Sequence, residues 1–400
     1  MRIIHLITRL IVGGAQENTL LSCQRQHERG HDVTLITGPP LGPEGSLMDR
    51  AVSHGYRIEV LDDLRRAILP LRDVRAYRHL TGRLRELRPD IVHTHSSKAG
   101  ILGRHAAHRA GCPAIIHTIH GLAFTASTSP LVNWVYKVLE KQAAPLTTRI
   151  VCVADAMRDQ SLAAGIGCPE QYVTVYSGMA TSPFLDPPVS REQVRQTLGI
   201  RPEHLIVGTV ARLFDLKGHD DLLDAAPALC AQFPNLRFLW VGDGRLRQSF
   251  EARMTALGLR DRFILTGLVP PTQIPELTAA MDILVHPSRR EGLARALVQG
   301  QLAGKPVIAY DIDGNREGLI DTQTGFLVQP FDRATFSGQL AVLLTDPSLR
   351  QAMGIAGRAF ALQRFSADAM ADALDRVYQD AINATGRASP FRNPGGFCSL

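Results

Sequence analysis

The hydrophobic and polar positions of this chain form a repeating pattern, in which short apolar, β-rich runs alternate with longer helical stretches. Continuous apolar strands between helices are typical of a parallel sheet that is covered on both faces. The alternation occurs in two series, so the sequence predicts an α/β protein with two doubly wound, Rossmann-like domains. The predicted strands are RIIHLI, DVTLIT, RIEVL, DIVHTH, AIIHTIH, RIVCVA and YVTVY in the first series, and LIVGTV, LRFLWVG, RFILTG, DILVHPS, PVIAY and GFLV in the second.

A proline-rich segment without periodicity, SPFLDPPVS at Ser182–Ser190, separates the two series. We therefore predict an N-terminal domain over residues 1–183 and a C-terminal domain over residues 184–364. Residues 365–383 are predicted to form a helix that returns to the N-terminal domain, and residues 384–400 a disordered tail. Ligands of open α/β sheets bind outside the carboxyl ends of the strands. We therefore expect the two domains to face a central cleft, with the site residues directly after strands.

Composition narrows the class of protein. Hydrophobic residues make up 45% of the chain and charged residues 20%, which is typical of a soluble globular protein. The sequence contains no run of about 18 apolar residues, so no membrane span is predicted. The N-terminus is typical of a first strand rather than of a signal peptide. The six cysteines have no framework spacing, which favours free thiols in a reducing cytoplasm.

The net charge of +6 is concentrated between Arg65 and Arg109, where only three acidic residues oppose the arginines and Lys98. Such a segment could bind nucleic acid, anionic lipid or a phosphorylated substrate, and a solvated helix face is an equal alternative. Single-strand nucleic-acid grooves usually add stacking aromatic residues. The segment contains only Tyr77, so we rank lipid or phosphate above nucleic acid.

Gly13 and Gly14 follow the first predicted strand and open a helix, whose backbone N–H groups could bind an anion. The pattern is not G-x-G-x-x-G, and no acidic residue closes the second strand, so a nicotinamide-binding role is not favoured. The chain also lacks the P-loop pattern G-x-x-x-x-G-K-[ST]. A tight turn without a ligand is the alternative for the two glycines.

Histidines end two strands, in DIVHTHSSKAG and AIIHTIHGLAF. Their spacings could suggest a metal, but neither H-E-x-x-H nor an accompanying carboxylate is present, so we predict no metal site. His120 precedes Gly121 at a strand end and is the histidine most expected to face a ligand. A histidine that is satisfied within the core or a loop is the alternative.

In VGTVARLFDLKGHDDLL, Arg212 and Lys217 lie in the loop after the first strand of the second domain. Two cations followed by Gly218 and a helix suit a diphosphate, because arginine supplies a planar fork and lysine a point charge. Solvated loop cations are the alternative. The turn WVGDGRL adds Asp243 after another strand.

Glu291 follows the strand in DILVHPS and stands just before a predicted helix. Its carboxylate could accept hydrogen bonds from hydroxyl groups, while the N–H groups of Gly292, Leu293 and Ala294 donate to an anion. This combination fits a sugar attached to phosphate. An acidic residue that only complements the helix dipole is the alternative.

Together the motifs resemble the GT-B retaining glycosyltransferases of glycosyltransferase family 4, over about residues 2–380. They occur in the family's order: GGAQ, DIVHTHSSKAGILGR, HTIHG, ARLFDLKG, VGDG, LTGLV with Val269, HPSRREGLARALVQGQLAGKPVIA and DGNREGL. The resemblance implies transfer of a sugar from a nucleotide sugar with retained anomeric configuration and without a metal or other cofactor. It places the nucleotide in the second domain and the acceptor in the first, and a UDP-sugar is favoured over a GDP-sugar.

The family motif E-x7-E is altered here. Glu291 matches the first glutamate, which contacts donor sugar hydroxyls, but Gln299 replaces the second, which binds the ribose. Glutamine accepts hydrogen bonds without charge, so the resemblance implies weaker donor binding rather than lost chemistry. Arg212 and Lys217 would stabilise the leaving diphosphate, His120 would orient the donor sugar, and Gly13 and Gly14 would allow close approach to the diphosphate.

The segment SSKAGILGRHAAHRAGCPAIIHTIHGLAF also resembles a subgroup that builds bacterial surface polysaccharides on a polyprenyl-diphosphate lipid. With the basic segment, this implies a cytoplasmic enzyme that is peripheral on the inner face of the cell membrane. Two alternatives remain open from the residues. One is a GT-B-like nucleotide-sugar epimerase, and the other is a non-catalytic nucleic-acid or lipid-binding protein that uses the basic segment.

Overall fold

The computed structural model describes residues 1–42, 45–124 and 128–385, and within them the chain forms two compact units. Unit 1 comprises Met1–Met179 together with the chain from Ala367, and unit 2 comprises Ala180–Ser366. The first division lies four residues before the predicted break. It lies two residues before the proline-rich segment, so that whole segment belongs to unit 2. Residues 386–400, which carry most of the predicted disordered tail, lie outside the described residues.

Each unit is built on one parallel sheet, and every predicted strand is confirmed. The strands are β1 (Arg2–Ile7), β2 (Asp32–Thr37), β3 (Arg57–Val60), β4 (Ile91–His95), β5 (Ala114–Ile119), β6 (Arg149–Cys152), β7 (Tyr172–Thr174), β8 (Leu205–Val210), β9 (Leu236–Val241), β10 (Phe263–Gly267), β11 (Ile283–His286), β12 (Val307–Tyr310) and β13 (Gly325–Val328). Their order is β3-β2-β1-β4-β5-β6-β7 in unit 1 and β10-β9-β8-β11-β12-β13 in unit 2.

Helices connect the strands and cover the sheets. They are α1 (Gly14–Glu28), α2 (Met48–Val52), α3 (Pro70–Leu87), α4 (Ser97–Ala110), α5 (Pro130–Ala143), α6 (Asp155–Ala163), α7 (Ser182–Leu185), α8 (Arg191–Thr197), α9 (His219–Gln232), α10 (Arg247–Ala256), α11 (Ile274–Ala279), α12 (Arg295–Leu302), α13 (Asn315–Gly318), α14 (Arg333–Thr345), α15 (Pro347–Phe365) and α16 (Ala367–Ala384). None of the helices in the described ranges is long and apolar enough to span a membrane.

The strands are apolar at successive positions because both faces of each sheet are buried. In β1, Ile3 packs into one apolar cluster, and Ile4 and Leu6 pack into another. Alternating side chains of a strand point to opposite faces, so the two clusters lie on the two sides of the sheet. This arrangement explains why the strands show continuous apolar runs rather than an alternation with polar residues.

The helix α16 packs in unit 1 and not in the unit that precedes it in sequence. Met370, Leu374, Tyr378 and Ala381 recur at intervals of three and four residues and are buried beside Ile3 and other strand residues. Arg29 anchors the outer side of the helix through ion pairs of 2.7 Å to Asp372 and 2.6 Å to Asp375.

In each sheet the strand order reverses once, between β1 and β4 in unit 1 and between β8 and β11 in unit 2. Loops that leave two strands at such a switch point run to opposite faces and open a crevice at the carboxyl edge of the sheet. The loop after β8 carries Arg212 and Lys217, and the loop after β11 carries Glu291. The topology of unit 2 therefore brings the predicted cations and the predicted carboxylate to one place.

Candidate active site

Glu291 lies at the centre of the site in unit 2. One of its carboxylate oxygens, Oε1, accepts a hydrogen bond from Lys217 Nζ and another from His286 Nε2, the latter at 3.0 Å. Only 16% of the Glu291 side chain and 22% of the Lys217 side chain are exposed. A half-enclosed ion pair of this kind holds both charged groups in a fixed geometry, which an exposed loop pair would not do.

The surroundings of Glu291 keep it ionised. Burial by itself raises the pKa of a carboxyl group, but the hydrogen bond from His286 and the positive charge of Lys217 outweigh it and lower the pKa of Glu291 to about 2. At neutral pH this side chain therefore accepts hydrogen bonds and does not act as a general acid. Its second oxygen, Oε2, accepts no hydrogen bond from the described residues.

The two loops meet through backbone contacts that require a glycine. Gly218 has a φ of 73°, and a Cβ at this position would lie 1.9 Å from the carbonyl oxygen of Pro287. The Arg289 amide donates to the carbonyl of Leu216 at 2.7 Å, and the Ser288 hydroxyl donates to the same oxygen at 3.1 Å. These bonds place Lys217 next to Glu291.

A third loop supports the site from the other side. The Glu291 amide donates to Asp313 Oδ2 at 3.1 Å, and the Gly314 amide donates to the carbonyl of Gly292 at 3.0 Å. Both residues follow β12, the neighbour of β11. Three consecutive strand ends therefore contribute to the position of one carboxylate.

The predicted start of the next helix is corrected. The sequence predicts a helix directly after Glu291, but α12 begins at Arg295 and Ala294 is its N-cap. The bond from Gly314 to Gly292 holds this segment as a loop. The N–H groups of residues 292–294 have no acceptor within the described residues, so they remain available for an anion. Gln299 lies in the second turn of α12, half-buried, and its side-chain amide makes no hydrogen bond within the same residues.

The remaining predicted residues of unit 2 differ in their surroundings. Arg212 is exposed, and its guanidinium lies 5.0 Å from the ring centre of Phe214. Asp243 pairs with Arg247 at 3.1 Å and accepts a hydrogen bond from the Gly244 amide. Val269 is partly buried against an apolar cluster of unit 2 that includes Val241 and Leu277.

In unit 1, Gly14 opens α1 as predicted and Gly13 is its N-cap. The φ of Gly13 is 177°, an extended conformation that any residue adopts, and a Cβ there would meet only the flexible end of the Gln16 side chain. The glycine at this position therefore leaves space at the helix start rather than relieving backbone strain.

His120 follows β5, and its Nε2 lies 3.0 Å from Nδ1 of His95. The ring nitrogens of His5, His93 and His95 lie within 4.8 Å of one another, as three metal ligands could. However, both nitrogens of each ring are hydrogen-bonded to another histidine or to Gln26, Tyr378 or Thr118. Burial lowers the pKa of His5 to about 4 and lowers the pKa values of His93 and His95 well below the ordinary value. The cluster is a hydrogen-bond network of neutral imidazoles.

Several basic residues between Arg65 and Arg109 are buried or paired with acidic residues, which the sequence did not predict. Arg104 is fully buried and pairs with Glu140 at 2.6 Å, so it is not part of a surface patch. Arg83 pairs with Glu59 at 2.6 Å, and Lys98 pairs with Asp73 at 2.6 Å. Arg72 and Arg78 are exposed on the outer side of α3.

Comparisons with known proteins identify the family. The model of the glycosyl transferases group 1 matches residues 190–360, and the model of the glycosyl transferase 4-like domain matches residues 13–178. The chain belongs to the family 4 glycosyltransferases. The two matches coincide with the two sheets of this glycosyltransferase, and the alternatives of an epimerase and of a non-catalytic binding protein are not favoured.

Relatives agree with this assignment. The glycosyltransferase is 29% identical, over 96% of its own length and 97% of the relative's, to the Escherichia coli UDP-Gal:alpha-D-GlcNAc-diphosphoundecaprenol alpha-1,3-galactosyltransferase. It is 29% identical to the D-inositol 3-phosphate glycosyltransferase of Segniliparus rotundus, over 76% of its length and 69% of the relative's. The crystal structure of Anabaena HepE with UDP has a TM-score of 0.81 at 22% identity, and covers 95% of this chain and 100% of that one, which confirms the GT-B fold.

Two residues of this site were not predicted from the sequence. His286 ends β11 and bonds Glu291, and Asp313 fixes the Glu291 backbone. A signal for His286 was present, because a polar residue ended an otherwise apolar strand in DILVHPS. Asp313 had no such signal, since its contact depends on the neighbouring loop after β12.

Proposed function

We propose that this glycosyltransferase moves a sugar from a UDP-sugar to a polyprenyl-diphosphate-linked acceptor, with retention of the anomeric configuration, in the synthesis of a bacterial surface polysaccharide. The observation that carries the proposal is the ionised, half-enclosed Glu291 at the switch point of unit 2. Its E. coli relative is named for such a donor and such an acceptor, and the similarity covers nearly all of both chains.

Glu291 is proposed to hold the donor sugar. Lys217 and His286 occupy one carboxylate oxygen and orient the group, which leaves Oε2 to accept a hydrogen bond from a sugar hydroxyl. A charged acceptor of this kind binds a hydroxyl about twice as strongly as a neutral one. His120 is proposed to accept a hydrogen bond from another sugar hydroxyl.

Arg212 and the backbone are proposed to stabilise the leaving diphosphate. The acceptor oxygen bonds to the anomeric carbon as the bond from that carbon to the UDP oxygen breaks, and the acceptor proton passes to the leaving phosphate. Negative charge then develops on the phosphate, where the exposed Arg212 and the N–H groups of Gly292, Leu293 and Ala294 can donate. Gly13 and Gly14 leave room for a phosphate to approach the start of α1.

Gln299 is proposed to face the ribose of the donor. Its half-buried side chain makes no hydrogen bond to any other described residue. Its carbonyl oxygen can therefore accept a hydrogen bond from one ribose hydroxyl. The lack of a charge at this position predicts looser nucleotide binding than a glutamate would give.

The enzyme is further proposed to rest on an anionic membrane surface through unit 1. Exposed apolar side chains lie at the starts of α3 and α5, with Ile68 74%, Leu71 83%, Leu131 70% and Trp134 62% exposed. Both helices pack beside α4 and begin at the carboxyl edge of the sheet. Exposed basic residues flank these side chains, and each basic residue near an anionic surface contributes about 1 kcal/mol.

The test uses purified full-length protein, a panel of UDP- and GDP-sugars and a short-chain prenyl-diphosphate-linked GlcNAc in detergent. We expect a glycosylated product with one UDP-sugar, retained configuration by NMR of the new linkage, and unchanged activity in excess chelator. A product formed only with free sugars as acceptors would refute the lipid-linked acceptor, and an inverted linkage would refute the retaining mechanism.

A further inference from the structure

Arg289 of unit 2 holds the two loops that meet at Glu291. It follows β11 and stands two positions before Glu291. Its amide donates to the Leu216 carbonyl at 2.7 Å, and its side chain donates through Nη2 to Asp221 Oδ2 at 2.7 Å. Leu216 directly precedes Lys217, and Asp221 lies four positions after it, in the first turn of α9. Arg289 therefore fixes the chain on both sides of Lys217.

Asp221 gives Arg289 a buried counter-charge. The residue is 0% exposed, and its Oδ2 also accepts a hydrogen bond from the Tyr310 hydroxyl at 2.9 Å. Its Oδ1 accepts a hydrogen bond from Arg333 Nε at 2.8 Å. Burial by itself would raise the pKa of Asp221, but the hydrogen bonds from these three partners lower it below the ordinary value, so the carboxylate is ionised. A buried charge is stable only while it is paired, which holds the Arg289 side chain in one position.

The backbone at Leu216 supports the same arrangement. Its φ is 67°, in the left-handed region that a leucine seldom adopts. Its carbonyl oxygen accepts two hydrogen bonds, from the Arg289 amide at 2.7 Å and from the Ser288 hydroxyl at 3.1 Å. Such a conformation persists where the surrounding contacts enforce it. The side chain of Lys217 therefore extends from a backbone that these two bonds hold in one conformation.

The guanidinium of Arg289 is directed at protein groups and not at an open surface. Only 21% of the side chain is exposed, and the guanidinium lies 4.6 Å from the ring centre of Phe331, besides its bond to Asp221. The nearby Arg212 differs, because it is exposed and pairs with no acidic side chain of the described residues. Arg212 thus suits direct contact with an anion, whereas Arg289 suits a role that acts through its neighbours.

We propose that Arg289, with Asp221 as its buried partner, is a positioning residue that holds Lys217 against Glu291, so that the Glu291 carboxylate presents Oε2 to a hydroxyl of the donor sugar. The proposal rests on the proposed function, since the sugar is the ligand of Glu291 there. Arg289 and Asp221 themselves contact no part of the sugar. Both act through Lys217, whose ammonium group occupies the other carboxylate oxygen.

The first test measures kcat of the full-length protein. Arg289→Met keeps the length of the side chain and removes its bond to Asp221, and it should lower kcat at least tenfold, roughly the cost of a displaced site group. In a Lys217→Ala background the same change should cause no further loss, because the group that Arg289 positions is absent. Arg289→Lys restores a charge and one donor, so it should recover part of the lost kcat.

Arg333→Met is the matched control, because it removes the other arginine from the Asp221 carboxylate and lies on neither loop of the site. It should lower stability and leave kcat unchanged. If Arg289→Met does not fold, Asp221→Asn weakens the same bond with little change of shape and should lower kcat in the same background-dependent way. An unchanged kcat in the folded variant, or an equal loss with and without Lys217, would overturn the proposal. An equal loss in Arg333→Met would do the same.

A second test needs no sugar transfer. Urea unfolding of unit 2 is followed by the fluorescence of the buried Trp240 in a Trp134→Phe background. Glu291→Gln should lower the urea midpoint, and in Arg289→Met this shift should fall by at least half, because Lys217 is no longer held beside the carboxylate. Additive shifts would mean that Arg289 and Glu291 are independent and would overturn the proposal. Absence of transfer by the unaltered protein would instead refute the proposed function and leave this coupling measurable, so the two failures are distinguishable.

Discussion

Replacing Glu291 by glutamine should destabilise unit 2 at neutral pH and change the pH dependence of its stability. The pKa of Glu291 is lowered from 4.5 to about 2 in the folded protein. A difference of about 2.5 in pKa corresponds to about 3 kcal/mol. Because the folded pKa is the lower one, this stability is fully present above pH 4.5 and is lost as the pH falls toward 2.

The assay needs a reporter that follows unit 2 alone. Trp240 is fully buried in unit 2, and Trp134 is the other tryptophan of the chain. In a Trp134→Phe background, urea unfolding followed by fluorescence therefore reports on unit 2. We expect Glu291→Gln to lower its free energy of unfolding by about 3 kcal/mol at pH 7 and by roughly half as much at pH 3.

The matched control is Glu192→Gln, an exposed acidic residue of the same unit. It should leave stability within about 0.5 kcal/mol at both pH values. If Glu291→Gln lowered the free energy of unfolding by the same amount at pH 7 and at pH 3, the reasoning would be refuted. The lost stability would then come from packing and not from the ionised carboxylate beside Lys217 and His286.

Three further predictions concern binding and transfer. Arg212→Ala should lower kcat at least tenfold with little change in stability. The exposed control Arg201→Ala should leave kcat unchanged, and equal kcat values for the two variants would mean that Arg212 does not bind the diphosphate. Gln299→Glu should tighten donor binding about fivefold by calorimetry, since a charged acceptor gains about 1 kcal/mol. If neither Gln299→Glu nor Gln299→Ala changed the dissociation constant of the donor, the ribose would be bound elsewhere. Trp134→Ser should reduce sedimentation with anionic vesicles, and the control Ile355→Ser should not. Salt at 1 M should release the parent protein from the vesicles. Equal binding of the parent to neutral and anionic vesicles would contradict a role for charge.

The site in unit 2 was largely predictable because its parts follow strands. Apolar periodicity located β8 and β11, and the carboxyl edge of a parallel sheet is where ligands bind. Arg212, Lys217 and Glu291 were therefore expected at one edge. The sequence could not show that Lys217 pairs with Glu291, because that contact depends on the close approach of Gly218 to Pro287.

Other contacts depended wholly on which elements became neighbours. Gln26 lies inside α1, and Tyr378 lies in a helix more than 350 positions along the chain, yet both bond to the histidine network. Arg104 looked like one more surface cation until α5 placed Glu140 against it. Local pattern carries no information about such partners.

By itself the sequence determined the strands, the parallel α/β class and the residues at the strand ends, since backbone periodicity and burial act over a few neighbouring positions. Tertiary structure decided which charges are paired, where α12 begins, and which buried histidines bond to one another. These properties depend on hydrogen bonds between residues that are distant in the chain, and only the order of strands and the packing of helices brings such residues within bonding distance.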